Sequence, residues 1–169
     1  MGDSVSVEIV EFSSGKDVNT ALAAGSIDFG LEGSCPASLA IAQDLGVELI
    51  WIHEVLGDVE SLVATGTSGI NTVADLKGKK VAVPFASTAH FSLLKAMENA
   101  GLSASDVTVL DMQPDKIYAS WNSGDIDAAY IWEPTLSQLS NKKTVITSGE
   151  LAKAGYMTSN VEVVRTKFA

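Results

Sequence analysis

The chain has 169 residues, 46% hydrophobic and 19% charged, enough to bury a core in one domain or in two small lobes. Its formal net charge of −10, with one arginine (Arg165) and no basic stripe, sets it against nucleic acid, whose phosphates it would repel. Cys35 is the one cysteine, which excludes an internal disulfide and a multi-cysteine metal site, and the apolar runs are too short for a membrane span.

Met1-Gly2-Asp3 opens on polar sequence, so no export signal is expected there. VSVEIVEF alternates and is rich in β-branched residues, the pattern of a strand. KDVNTALAAG predicts a short helix with Val18, Ala21 and Leu22 on one face and Gly25 just past its end. Ile27-Asp28-Phe29-Gly30 reads as a short buried strand. GSCPASLAIAQDLG follows as a helix capped by Ser34, with Pro36 in its first turn and Gly46 at its close. VELIWIHEV and SLVATG are strands.

From about residue 70 the pattern restarts. VADLKG predicts a short helix, and KVAVPF a strand covered on both faces because its apolar residues are consecutive. ASTAHFSLLKAMENAG is a helix capped by Ser87 or Thr88, followed by the strand VTVLDM. PDKIYASWNSG is a helix, DIDAAYIW a strand, and PTLSQLSNK a helix. KTVITS and VEVVRTKFA are the closing strands. Such alternation predicts an α/β protein with mostly parallel sheets.

Two segments repeat: LAAGSIDFGLEGSCP and SWNSGDIDAAYIWEP both write a helix end, a Gly, an Ile-Asp pair, a strand and a new helix. Gly25 aligns with Gly124, Ile27 with Ile126 and Asp28 with Asp127. Either this is the helix-Gly-strand unit common to α/β proteins written twice, or two lobes of like topology face each other across a cleft.

Four helix starts follow strands directly: Gly33-Ser34-Cys35-Pro36, Ala86-Ser87-Thr88, Gln113-Pro114 and Glu133-Pro134. Ligands of open α/β sheets bind beyond the carboxyl ends of the strands, and unpaired N–H groups of a helix start favour an anion. Ser34, Ser87 and Thr88 serve there either as plain caps or as extra donors. An anion site built this way needs no arginine and suits a compact monoanion such as a sulfonate better than a dianionic phosphate. Phe85, His90 and Phe91 flank one loop, and Tyr130 and Trp132 another; Phe85 and Phe91 read as core, Trp132 as facing the cleft. Glu32 and Glu133 at the rims would pair with a cationic group or remain solvated.

Cys35 at a helix start, with His53 or His90 as base, is the one arrangement that offers nucleophilic chemistry, and a small residue in a crowded turn is the simpler account. No zinc spacing, Walker loop or dinucleotide fingerprint occurs, so no catalytic residue, metal or cofactor is expected.

GSIDFGLEGSCPASLAIAQ, KGKKVAVPFASTAHFSLLKAMENAGL and QPDKIYASWNSGDIDAAYIWEPTLS resemble, in order and over almost the whole chain, the taurine- and aliphatic-sulfonate-binding receptors of ABC importers. The resemblance implies a two-lobed, type II periplasmic-binding-protein-like fold closing on a small ligand like a hinge. It implies a first lobe over 1–64, a second over 65–158 and a returning hinge strand over 159–169, with SLVATG and VEVVRTKFA as the crossings. It places Ser34, Cys35, Ser87, Thr88, His90, Gln113, Trp132 and Asn160 on the cleft, binding a small sulfonate for delivery to an importer permease from the periplasm.

Three departures accompany it. The family's elements before residue 5 and after residue 169 are lacking, so the first lobe is expected to be incomplete: truncated, naturally minimal, or completed by dimerisation. Asn160 stands where taurine receptors tend to place a carboxylate for the ligand amine, while Glu32 and Glu133 replace apolar or small residues. Three alternatives follow: a receptor for a thiamine-pyrimidine-type heterocycle stacked on Trp132, a thiol enzyme using Cys35, or a receptor-like fragment that self-associates without ligand.

Overall fold

The computed structural model describes residues 5–169; the expectation for Met1-Gly2-Asp3 lies outside the described residues. Among the described residues there are eight strands, arranged in two sheets, and six α-helices. The chain runs α1 (Gly15–Ala24), β1 (Phe29–Gly33), α2 (Ser34–Ala42), β2 (Val47–Val55) and β3 (Glu60–Thr65). A 3-10 turn (Val73–Leu76) leads to β4 (Lys80–Val83), α3 (Thr88–Asn99), β5 (Thr108–Asp111), α4 (Pro114–Ser123) and β6 (Ala128–Trp132). The last elements are α5 (Thr135–Gln138), β7 (Lys142–Thr147), α6 (Ser148–Lys153) and β8 (Ser159–Arg165).

The first sheet has the order β1-β8-β2 and the second β5-β4-β6-β3-β7. In each, all strands but one share a direction, as the α/β alternation predicts. The exceptions are β8 and β3, which pair antiparallel with both neighbours. They are the two strands at which the chain passes from one sheet to the other, β2 to β3 by a short loop and β7 to β8 through α6. All of Glu60–Thr65 belongs to the second sheet, so the 64/65 division falls inside β3.

The second sheet is sandwiched. Leu62, Val81, Val83, Ala128 and Tyr130 pack under α3 and α6, through Leu93, Met97 and Leu151. Val63, Ala82, Ala129 and Ile131 pack on the other face against Ile117 and Trp121 of α4 and Leu136 of α5. Burial of consecutive residues in KVAV follows from this double cover. The first sheet is covered on one face, where Val161, Val163 and Val47 meet Val18 and Leu22 of α1 and Ala37 and Ala40 of α2. A Cβ on Gly30 would lie 2.6 Å from Val18 Cγ1, so α1 rests directly on the backbone of β1. On the opposite face Phe29, Leu31 and Trp51 are each more than half exposed.

The repeat is structural as well as written. Gly25 and Gly124 both take the left-handed conformation (φ 72° and 78°) that lets α1 and α4 end and turn into a strand. The N–H after each glycine reaches back to a helix carbonyl, Ser26 to Ala21 and Asp125 to Ser120. Both aspartates then tie a neighbouring strand: Asp28 pairs with Arg165 at the end of β8, and Asp127 Oδ2 accepts from Lys80 N–H at the start of β4 (2.9 Å).

Several expectations are corrected. VSVEIVEF is not a strand; among the described residues no strand bonds to it, and Val5, Val7 and Ile9 are exposed, because alternation makes a strand only where an edge is available for pairing. The predicted helix PTLSQLSNK shrinks to Thr135–Gln138, since Asn141 adopts positive φ (48°) and Lys142 enters β7. Helix α6 was not foreseen, although Thr147 and Glu150 form a reciprocal capping box before it. Ser34 does not cap α2: the cap is Gly33 and Ser34 is the first helical residue. Phe85 is not core; it is exposed.

Candidate functional site

The carboxyl ends of β1, β2 and β6, the loop after β4 and the start of α1 surround a cleft of about 380 Å³ between the two sheets. Strand register builds its walls. Gly33, Asn160 and Glu54 form one cross-strand row in the first sheet, and Glu60 lies opposite Trp132 in the second. Helices α1, α2 and α3 all present their N-terminal turns to it, through Ser14 and Gly15, Gly33 and Pro36, and Ser87 and Thr88. The lobes touch closely at one point, where a Cβ on Gly33 would lie 2.8 Å from Thr88 Cγ2.

Of the residues expected in the site, Glu32, Ser87, Thr88, Trp132, Glu133 and Asn160 line this cleft; Ser34, Cys35, His90 and Gln113 are not among its lining residues. Ser34 Oγ accepts from Ser159 N–H (3.3 Å), tying the start of α2 to β8. Cys35 is half-buried, and its thiol is pushed up to about 11 by burial and then by nearby Glu60, partly offset by Ser34. That thiol is protonated at neutral pH, the reverse of an activated nucleophile. His90 stacks flat on Phe85 at 4.3 Å and its Nδ1 accepts from Ala86 N–H (3.4 Å). Burial lowers the imidazole's pKa, against the pull of Asp111. Gln113 is the residue before α4, and its buried Oε1 has no partner.

The hydroxyls of Ser87 and Thr88 are already engaged. Ser87 Oγ donates to the carbonyl of Pro84 (2.6 Å) and accepts from His90 N–H (3.1 Å). Thr88 Oγ1 donates to Glu60 Oε2 (2.5 Å). Backbone N–H groups of the three helix starts are donors open to an anion.

Glu60 is the residue the sequence reading missed. It is 1% exposed at the start of β3, accepts from Thr88 and from Ser148 Oγ (2.7 Å), and Ser148 in turn meets Tyr130 Oη at 3.0 Å. Burial raises its pKa and the two hydroxyls oppose that rise. A glutamate immediately before the apolar run SLVA was the available signal: it starts a strand whose next four residues are all buried.

The cleft is acidic. Glu32, Glu54, Glu60 and Glu133 line it, and no lysine, arginine or histidine does so among the described residues. Glu133 caps α5, accepting from Ser137 N–H (2.9 Å) and Ser137 Oγ (2.8 Å), and Glu54 accepts from Asn160 Nδ2 (2.8 Å). Glu32 is 5% exposed and neither carboxyl oxygen has a partner. Burial pushes it up to about 8. Among the described residues no group of three or more metal-ligating side chains is assembled, and no helix is long and apolar enough to cross a membrane.

Comparison with known proteins places this geometry. The family model described as "NMT1/THI5 like" matches residues 3–169. The taurine-binding periplasmic protein of Escherichia coli (strain K12) is 39% identical over 160 residues, 94% of this chain and 49% of that one. A putative aliphatic sulfonates-binding protein of Bacillus subtilis (strain 168) is 33% identical over 99% of this chain and 50% of its own length. Among solved structures, the alkanesulfonate-binding protein SsuA from Xanthomonas axonopodis pv. citri bound to MOPS superposes with a TM-score of 0.80 at 29% identity, covering 95% of this chain and 55% of that one. The chain thus spans about half the length of the curated relatives it matches.

Proposed function

The chain belongs to the NMT1/THI5-like family, and from that membership we propose that it is the ligand-capturing part of a solute receptor that takes a small sulfonate into the cleft between its two sheets. The observation that carries this reading is the convergence of three helix N-termini, α1, α2 and α3, on one cavity in a chain whose similar relatives are named for taurine and aliphatic sulfonates. Backbone N–H groups and helix dipoles stabilise a tetrahedral monoanion without any basic side chain. Trp132 supplies the apolar wall for a short alkyl segment, and Thr88, fixed by Glu60, sets the rim of the second lobe.

The remaining parts of the reading follow from it. Capture is for uptake by an ABC importer in the periplasm, with the permease as protein partner. The first lobe is built on β1, β2 and β8 and the second on β3 to β7, joined at residues 56–59 and 154–158. The protein binds without catalysis; the protonated thiol of Cys35 and its place off the cleft support that side.

A second association is favoured by one observation, the exposed apolar row Phe29, Leu31 and Trp51 on the open face of the first sheet. We propose that this face self-associates, and light scattering that returns a single monomer mass at all concentrations would refute it.

The test of the main reading is the thermal unfolding midpoint with taurine, a panel of alkanesulfonates and quaternary amines. Ligand at a hundred times its Kd adds about 2.7 kcal/mol, or about 5–11 °C for a chain of this size. A panel of sulfonates without any shift would refute the proposal.

A further inference from the structure

We propose that Glu32 is the specificity-determining residue of the cleft: it holds the cationic end of a zwitterionic ligand and releases its proton as that ligand binds. This rests on the reading of the cleft as a sulfonate site, and adds the ligand's second charge and a proton count.

The placement comes from strand geometry. Gly30 and Glu32 occupy the helix-facing side of β1, so the alternation that buries a glycine under α1 also drives a carboxyl group inward at the end of the strand. Gly15, at the start of α1, has no side chain to fill the space: a Cβ there would stand 3.1 Å from Glu32 Oε2. The result is a carboxyl group 5% exposed, on the cleft wall, with both oxygens unpartnered. A buried polar group in that condition calls for a partner from outside the chain.

The neighbouring carboxylates show what is different about it. Glu60 is as buried but accepts two hydroxyl hydrogen bonds, Glu133 is spent on the cap of α5, and Glu54 is engaged by Asn160. Glu32 alone among the four has all its acceptors open.

Burial is what disfavours its charge. Glu54 from β2, Glu60 from β3 and Glu133 from the end of β6 line the same cleft and add no positive charge to it. On α1, Asp17 is bonded to Ser14 and Lys16 is exposed to solvent, and α2 contributes only the protonated Cys35. The N-terminal turns of α1 and of α2, which begins two residues after Glu32, offer positive potential. In the empty cleft burial therefore keeps Glu32 protonated at neutral pH, with its carboxyl held near 8. An alkylammonium arriving at its oxygens reverses the balance: the carboxyl ionises, the ion pair forms, and one proton leaves to solvent. A sulfonate without an amine prefers the neutral carboxyl, which does not repel it.

Isothermal titration in two buffers of different ionisation enthalpy, at pH 6 and pH 8, measures both affinity and protons exchanged, with taurine and its amine-free analogue ethanesulfonate as probes. Wild-type protein is expected to release close to one proton per taurine at pH 6 and to bind it about 50-fold more tightly at pH 8, the ratio of ionised carboxyl at the two values. Ethanesulfonate should release none and weaken about twofold over the same range. In Glu32→Gln the proton release disappears, taurine at pH 8 weakens at least about tenfold, and ethanesulfonate is retained, which shows the variant folded. Titration of Glu60, present in both proteins, cancels in the comparison. Taurine binding to wild type without proton release, or unaltered in the variant, overturns the proposal while leaving the sulfonate reading intact; the first of these needs no variant. Failure of both sulfonates to bind wild type overturns both.

Discussion

Substituting Gly33→Ala tests the close approach of the two lobes. Gly33 sits at φ −69° and ψ 151°, a conformation open to any residue, so alanine brings no backbone strain; it acts through space and through its weaker preference for the N-cap of α2. Its Cβ would lie 2.8 Å from Thr88 Cγ2 and 3.3 Å from Thr88 Oγ1, and Thr88 is held in place by Glu60. Overpacking of one methyl costs about 1–3 kcal/mol, and the stiffer unfolded chain returns about 0.4–1 kcal/mol, which at mid-range leaves a net loss of about 1.3 kcal/mol. For this size of chain that lowers the thermal midpoint by about 3–5 °C. The assay is a double-mutant cycle by thermal or urea unfolding with Thr88→Ser, which removes Cγ2 and keeps the hydroxyl donated to Glu60. Alone, Thr88→Ser loses about 1 kcal/mol for one buried methyl. In the Gly33→Ala background it restores stability, with a coupling of at least about 0.5 kcal/mol. A Gly33→Ala protein as stable as wild type, or strictly additive effects, would refute the account of this contact.

Alkylation of Cys35 by iodoacetamide near pH 8 should run with about a hundredfold less thiolate than an unperturbed thiol, its pKa standing at about 11 against the ordinary 9.0; a labelling rate equal to that of free cysteine would contradict the burial argument. Stability should fall as pH rises from about 5 to 8. Glu32 binds its proton more tightly folded than unfolded, so the folded state is favoured below the ordinary 4.5 and progressively loses that advantage until the folded value near 8 is passed. Glu60 acts in the same direction, and Glu32→Gln should make the profile of unfolding midpoints shallower; an unchanged slope would show that Glu32 ionises freely. On the acid side the sign reverses. Asp106, held down to about 2 by Ser103 and Lys77, and Asp75, held down by Asn71 and Thr72, contribute above the ordinary 3.8 and lose their contribution below it. Asp106→Asn should shrink the loss of stability between pH 4 and 2.

Local features were legible because their causes are local. Gly25 and Gly124 end helices by the same left-handed turn, KVAV is buried on both sides as its unbroken apolar run requires, and Ser87 caps α3 through its own hydroxyl. The repeat announced that the Ile-Asp pairs have equivalent roles, and Asp28 and Asp127 both anchor the next strand. The capping box of α6 was equally local and was written in the sequence as Thr147-x-x-Glu150. VSVEIVEF shows the limit of such reading, since period-two alternation reports what a strand would bury and says nothing of whether an edge exists to pair with it.

The site divides in the same way. Sequence by itself determined the α/β alternation, the helix starts after strands, the lack of basic residues suited to phosphate, and the family to which these motifs belong. Which of those residues meet was decided by register and by two antiparallel strands. Pairing of β8 with β1 and β2 sets Asn160 between Gly33 and Glu54, and pairing of β3 with β6 and β7 sets Glu60 between Trp132 and Ser148. Those contacts span up to 127 residues of chain (Gly33 to Asn160), and no local pattern encodes them. The same assembly put Glu32 on the cleft wall without a partner, because burial and hydrogen bonding belong to the packed whole and not to the residue type.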